Sequence, residues 1–296
     1  MSNAATPAAG GPDRYAVMGH PIAHSRSPML HALFAEATGQ RLRYDALDVS
    51  PLDFATAVRE FFGSGGRGLN ITVPHKEAAF VLAGQASERA RLAGAANTLF
   101  TSNGVLHADN TDGPGLVRDL RHNLGLDPAG SRLLLVGAGG ASRGVLGPLL
   151  ALKPAGLWLA NRTAARATEL AARFSDLGPV RGGGFGQLPP QPFDLIINAT
   201  AASLKDEVPA LDPRLVGPGT RCYDMAYGRG DTAFMRWARQ CGAAAVYMGT
   251  GMLVEQAAES FLLWRGIRPD TAPALAALTR ALAAPAPGAS NPGDAR

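Results

Sequence analysis

The chain has 296 residues, 46% of them hydrophobic and 18% charged, with 28 basic and 24 acidic side chains and a net charge of +4 at pH 7. That apolar content supports packed cores and excludes a largely disordered protein, and the length suits one large domain or two of ordinary size. The basic residues form no run of five, which argues against a nucleic-acid or membrane-surface partner. No apolar stretch approaches the roughly 18–20 residues of a membrane span.

The N-terminus, MSNAATPAAGGPD, has neither a basic nor an apolar region of the kind a signal peptide needs, so a soluble cytoplasmic protein is expected. Cys222 and Cys241 lack CxxC or metal-ligand spacing and read as two buried free thiols. Residues 1–13 and 284–296 read as flexible tails.

Between the tails, short apolar runs alternate with helix-like segments, which predicts an α/β chain. Strands are expected over 15–18, 43–49 and 68–73, with helices over 28–37 and 52–62 between them. Short helices follow over 76–82 and 87–92. A hairpin is expected over 97–100 and 105–108, turning at Ser102-Asn103-Gly104. A helix over 113–124 leads to the second unit.

There, strands are expected over 132–136, 157–160, 193–197, 221–225 and 243–247, with helices over about 140–152 and 164–174. Two final helices, 252–265 and 271–282, follow the last strand with no sheet left to build, so they should fold back onto the first unit. The expected division is therefore 14–112, 113–250 and a returning segment 251–283.

Leu133-Leu134-Leu135-Val136 runs straight into Gly137-Ala138-Gly139-Gly140-Ala141 and then a helix. A strand, a glycine turn and a helix N-terminus together make a pyrophosphate cradle: the turn is tight, backbone amides come close, and the helix dipole favours an anion. Ser142 replaces the usual last glycine, but a second strand ends about twenty residues on, as a dinucleotide site requires. After it comes Asn161-Arg162-Thr163, with no acidic residue to bind a ribose 2′-hydroxyl. Arg162 can pair with a 2′-phosphate, and Asn161 and Thr163 can donate hydrogen bonds, so NADP(H) is favoured over NAD(H). Asn198, Ala199 and Thr200, at the end of another strand, fit a wall of the nicotinamide-ribose site, with Met225 and Gly249 ending neighbouring strands.

The first half carries four polar clusters. In His20-Pro21-Ile22-Ala23-His24-Ser25-Arg26-Ser27-Pro28, the Ser25 and Ser27 hydroxyls share one side of an extended chain, and Ser27 reads as the N-cap of the next helix. In Asn70-Ile71-Thr72-Val73-Pro74-His75-Lys76-Glu77, Asn70 and Thr72 share a face. Lys76 sits in the first turn of a helix, where the dipole disfavours a cation. Only three of the 28 basic residues are Lys, and an arginine could not give up a proton there. The third cluster is Ala95-Ala96-Asn97-Thr98. The fourth is Asp109-Asn110-Thr111-Asp112-Gly113, where spacing alone does not choose between the two carboxylates. The histidines show no metal-ligand spacing, so no metal is expected.

PIAHSRSP, NITVPHKE, AGAANTL, DNTDG, VGAGGASRGV, NRT, INAT, YDMAY and GMLVEQAA stand in the order seen in shikimate dehydrogenases, over residues 15–283. The chain resembles that family, and its NADP-dependent, shikimate-specific branch more than the quinate/shikimate branch, in which an Asp often follows the Asn-Arg pair. The resemblance implies a substrate domain followed by a Rossmann-type domain, and reversible reduction of 3-dehydroshikimate to shikimate with NADPH on the route to chorismate and aromatic amino acids.

It implies Lys76 and Asp112 as the catalytic pair, which favours Asp112 over Asp109. Ser25, Ser27 and Tyr227 would hold the substrate carboxylate, and Thr72, Asn97, Asp112, Lys76 and Gln256 the ring hydroxyls. Gly137, Ala138, Gly139, Gly140, Ala141, Asn161, Arg162, Thr163, Ala199, Thr200, Met225 and Gly249 would bind NADP(H). The partners implied are small molecules, with a monomer or homodimer as the working unit. Two departures stand out: Ala201-Ala202 where many relatives carry Ser-Ser, and His75 where they often have Phe. Competing readings are an NAD-dependent quinate/shikimate dehydrogenase, a non-catalytic sugar-acid or nucleotide sensor, and a folate-linked dehydrogenase.

Overall fold

A computed structural model describes residues 11–284, apart from the side chain of Leu204. Of the tails expected at 1–13 and 284–296, residues 1–10 and 285–296 lie outside those described. Asp13, placed in the tail by the sequence, instead opens the first strand, where it accepts an ion pair from Arg265. Ala284 ends the last helix, and its carbonyl accepts from Arg229.

In chain order the first unit holds β1 (Asp13–Gly19), α1 (Ser27–Thr38), β2 (Leu42–Asp48), α2 (Phe54–Gly63), β3 (Gly66–Ile71), α3 (Lys76–Leu82), β4 (Gln85–Ala86), α4 (Glu88–Ala93), β5 (Thr98–Ser102) and β6 (Val105–Asp109). The strands form one mixed sheet in the order β2-β1-β3-β5-β6-β4. β1, β2 and β3 run parallel, and the β5–β6 hairpin lies antiparallel to β3. Next comes α5 (Asp112–Arg118), continued by a π-helical stretch Asp119–Asn123.

The second unit holds β7 (Arg132–Val136), α6 (Gly140–Ala151), β8 (Gly156–Ala160), α7 (Ala164–Ala172), β9 (Val180–Gly183), β10 (Leu195–Asn198), β11 (Arg221–Asp224), α8 (Ala233–Gln240) and β12 (Ala245–Met248). Its sheet is parallel throughout, in the order β12-β11-β10-β7-β8-β9. Numbered from β7, that is the 3-2-1-4-5-6 order of a Rossmann sheet. The run Leu133–Val136 is fully buried because helices cover both faces of such a sheet.

α9 (Thr250–Arg265) and α10 (Ala272–Ala283) then return to the first unit. Val254, Ala257, Ala258 and Phe261 of α9 form one core with Leu30 and Phe34 of α1 and Leu278 of α10. α5 lies between the two units, and small residues let its neighbours approach. A Cβ on Gly113 would stand 2.6 Å from the Gly144 carbonyl of α6, and one on Gly115 would stand 2.7 Å from the Gln256 nitrogen of α9. Among the described residues, no helix is long and apolar enough to cross a membrane.

His31 of α1 is 0% exposed and stacks on Tyr44 at 4.1 Å, with Phe34, Phe261 and Trp264 around it. Burial pushes its imidazole down to about 3, opposed by Asn70 nearby. In the unfolded chain this histidine protonates below about pH 6.5, whereas in the fold it stays neutral down to about 3. Across that window the unfolded state holds more protons, so stability falls as pH falls. We expect His31→Phe to flatten this acid-side loss by up to about 1.4 kcal/mol per pH unit. Denaturant titrations at a series of pH values would show it, and an unchanged slope would contradict it.

Candidate active site

The strand–turn–helix order around β3 and α3 puts Lys76 at the first residue of α3. Its ammonium bonds the Asp112 carboxylate at the start of α5, and the two side chains are only 13% and 6% exposed. Two opposite charges withdrawn from water together are tolerable when each finds a partner, and here they do. The second Asp112 oxygen accepts from the Asn97 amide at 2.9 Å. The same amide reaches Thr111 Oγ1 at 2.8 Å and Gln256 Oε1 at 3.2 Å. Asn97 Oδ1 in turn accepts from the Thr111 backbone at 2.8 Å. Lys76, Asp112, Asn97 and Gln256 thus form one connected string drawn from α3, α5, the lead-in to β5, and α9.

Asp109 is otherwise engaged. It takes both Arg89 Nε at 2.6 Å and Arg89 Nη2 at 3.0 Å, and also the Ser87 hydroxyl. Beneath the string lies a buried polar layer. Asn70 donates to Ser260 at 2.9 Å and accepts from Tyr44 at 2.7 Å, and Thr98 bonds Ser260 at 2.8 Å. The sequence reading gave Ser260, Tyr44 and Thr111 no role, although Ser260 stands one turn beyond Gln256 on the same face of α9.

Ser25 and Ser27 lie before and at the start of α1. Ser27 is not the N-cap. Arg26 precedes the helix without a side-chain cap, and Ser25 sits in a turn, its hydroxyl accepting from the Ser27 backbone at 3.3 Å. Pro28 favours helical φ, while the Ser25 hydroxyl takes the Ser27 amide that precedes it. Tyr227, from the loop after β11, reaches this same segment. Burial pushes its phenol up, opposed by a hydrogen bond with the Arg26 backbone. Thr72 closes the end of β3, with its amide donating to Met18 at 2.9 Å.

At the second sheet, Gly137 has φ +109°, and a Cβ there would press on Ala199 and Thr200. This is where β7 and β10 diverge, the switch point at which an open α/β sheet leaves a crevice. A Cβ on Gly139 would meet nothing within 4 Å, so the backbone there faces open space. Ala138 is buried, while Gly140 and Ala141 open α6 half-exposed. At the same helix start, the Ser142 hydroxyl is buried without a hydrogen-bond partner, while Arg143 Nε makes no hydrogen bond but pairs with Glu77 at 3.6 Å. Arg162 and Thr163 are exposed at the end of β8, and the Asn161 amide is spent on the Thr163 carbonyl at 3.0 Å, shaping the turn. Lys76 lies beside this crevice: a Cβ on Gly140 would sit 3.2 Å from the Lys76 Cβ.

Model matches for the shikimate dehydrogenase substrate binding domain cover residues 17–99, and those for the shikimate 5′-dehydrogenase C-terminal domain cover residues 249–279. A shikimate dehydrogenase (NADP(+)) of Methylococcus capsulatus is 57% identical over 90% of this chain and 96% of its own. The chain belongs to the shikimate dehydrogenase family. Among solved structures, an Ael1 enzyme from Pseudomonas putida is 46% identical with a TM-score of 0.83, covering 92% of this chain and 99% of that one. The shikimate 5-dehydrogenase of Thermus thermophilus, solved with NADP(H) and shikimate, is 34% identical with a TM-score of 0.80, covering 91% and 99%.

Within this shikimate dehydrogenase framework several sequence expectations change. Asn198 is 0% exposed and bonds Asp224 and Ser203, so it braces β10 against β11 and is no open wall. Ser203 does this despite the Ala201-Ala202 departure, and Thr200 Oγ1 accepts from the Ala202 amide at 3.3 Å. Gly249 is buried, and a Cβ there would fall 2.4 Å from the Met225 carbonyl, so the close approach of the chain after β12 to the end of β11 needs a glycine. Met225 itself is half-buried at the end of β11. Gly249 therefore sits against Met225 as part of the fold. His75 turns away from Lys76, stacks on Phe54 at 4.5 Å and bonds the Val49 carbonyl at 2.7 Å, doing the work of an aromatic core residue. Of the two thiols, Cys222 is buried and pushed up to about 12 by desolvation, whereas Cys241 is only partly buried.

Proposed function

We propose that this chain catalyses the reversible reduction of 3-dehydroshikimate to shikimate with NADPH, and the buried Lys76–Asp112 pair beside the glycine turn carries that reading. The residues fit the cofactor. Open backbone at Gly139, an unbonded Ser142 hydroxyl at the α6 N-terminus and an exposed Arg162 suit a pyrophosphate and a 2′-phosphate. Bound there, NADPH supplies the hydride.

This chain's side chains do the rest. Ser25, Ser27 and Tyr227 hold the carboxylate, and Thr72, Asn97 and Gln256 read the ring hydroxyls. A site of paired hydrogen bonds rejects analogues that leave a buried group unpaired. Asp112 holds the Lys76 ammonium and accepts from an adjacent hydroxyl. Lys76 Nζ delivers a proton to the oxygen that gains charge when the carbonyl is reduced.

Residues 14–112 would form the substrate domain and 113–250 the cofactor domain, with 251–283 returning Gln256 to the substrate side. The reaction belongs in the cytoplasm, and a monomer or homodimer suffices because every site residue comes from one chain.

The test is the near-ultraviolet absorbance of reduced nicotinamide, with shikimate and quinate each offered NADP and NAD. Turnover of shikimate with NADP alone supports the proposal. Turnover of quinate with NAD moves the chain to the other branch, and inactivity with every pair leaves a binding protein. We expect Arg162→Ala to raise KM for NADP about tenfold, the worth of one exposed charge-assisted contact, with KM for NAD nearly unchanged. Equal effects on both would remove Arg162 from the 2′-phosphate site.

A further inference from the structure

Asp119 is the first residue of the π-helical stretch and is 2% exposed, although no step of the reaction above uses it. Its Oδ2 accepts from the Tyr223 hydroxyl of β11 at 2.6 Å, and its Oδ1 accepts from Asn123 at 2.9 Å. The Met252 backbone, in the first turn of α9, lies close to it. A Cβ on Gly251 would fall 1.8 Å from Asp119 Oδ1, so the carboxylate occupies the space that glycine leaves. Tyr223 is 0% exposed, and burial pushes its phenol well above 10, which keeps it a donor.

The spacing explains why this carboxylate matters to the site. Asp112, Gly115 and Asp119 are three and then four apart, so they share one face of the helix. That face runs along α9. Asp112 meets Gln256 through Asn97, Gly115 meets the Gln256 backbone, and Asp119 meets Gly251 and Met252. The third partner, Tyr223, lies on the strand that leads into Met225 and Tyr227. One buried carboxylate therefore joins the three elements that present Asp112, Gln256 and Tyr227. The π geometry at Asp119 is the local departure that lets this helix serve both α9 and β11.

We propose that Asp119, through Tyr223 and the first turn of α9, is a positioning residue that sets the distance between the Asp112–Gln256 side of the site and the Met225–Tyr227 side. The proposal rests on the function given above. Small displacements of reacting groups are costly, and a shift of about 1 Å can lower turnover by about a hundredfold.

The experiment measures kcat, KM for shikimate and the NADP dissociation constant for the wild type, Tyr223→Phe, Asp119→Asn and Asp119→Ala, well below each melting temperature. Tyr223→Phe removes one hydroxyl and keeps the ring in its core. We expect it to lower kcat about tenfold and raise KM for shikimate severalfold, with NADP binding within about twofold of wild type. Asp119→Asn, which keeps one acceptor for Tyr223, should retain more activity than Asp119→Ala. A lowered melting temperature with wild-type kcat and KM in Tyr223→Phe would make the contact merely structural and overturn the proposal. Wild-type inactivity toward shikimate and NADP would overturn the function and this role with it. An active wild type with kinetically silent variants would overturn this role alone.

Discussion

Lys76→Ala is expected to lower kcat by about a thousandfold while shikimate binding changes by less than about threefold. The argument starts from position. Lys76 opens α3 and reaches Asp112 in a setting where its side chain is 13% exposed. A proton donor held there acts on charge that exists fully only as the carbonyl is reduced, so its loss falls on turnover. Binding survives because Thr72, Asn97, Gln256 and the serine–tyrosine cluster remain. Lys76→Arg should not restore activity, since a guanidinium keeps its charge but does not give up its proton. Steady-state kinetics and a calorimetric shikimate titration on the same variants separate the two effects. Equal losses of turnover and binding would make Lys76 a binding residue.

Lys76 was legible as a candidate because it breaks two local regularities: a chain that uses Arg almost throughout, and a helix start that disfavours a cation. The choice between Asp109 and Asp112 was not legible from spacing. What separates them is a tertiary fact: Arg89 on α4 folds across β6 and saturates Asp109, while Asp112 at the start of α5 meets Lys76. The same holds for Asn198. It ends a strand on the side where ligands bind, and its bonds across β10 and β11 consume its side chain.

The fold was most legible where local pattern and burial agree. Leu133–Val136 is an apolar run with glycine punctuation and is also the central strand of its sheet. Two elements left no such trace. β9 is Val-Arg-Gly-Gly, poor in strand formers, yet a Cβ on Gly182 would fall 2.1 Å from the Ala167 carbonyl of α7, so the glycine is needed for that approach. α8 interrupts its buried Phe234, Met235 and Ala238 with Arg236 and Arg239, and only the Thr232 side chain capping Met235 announces it. The π stretch after α5 was read as ordinary helix because DLRHN carries no local signal. Its extra residue per turn answers to Tyr223 and Met252, which come from more than a hundred residues further along the chain.

Asp112→Asn is expected to lower kcat about a hundredfold and to raise KM for shikimate about tenfold, because this carboxylate has two duties. One oxygen takes the Lys76 ammonium and the other takes the Asn97 amide at 2.9 Å. An asparagine of the same shape has a single acceptor oxygen, so one of those donors would face an NH2 group, and a 6%-exposed site offers little water to relieve it. Loss of the lysine contact appears in kcat, and loss of the hydroxyl acceptor appears in KM. The two residues act as a unit, so Lys76→Ala combined with Asp112→Asn should be scarcely slower than Lys76→Ala alone. A fully multiplicative loss in kcat would mean that Asp112 contributes to turnover independently of the lysine it holds, through its contact with the substrate hydroxyl alone.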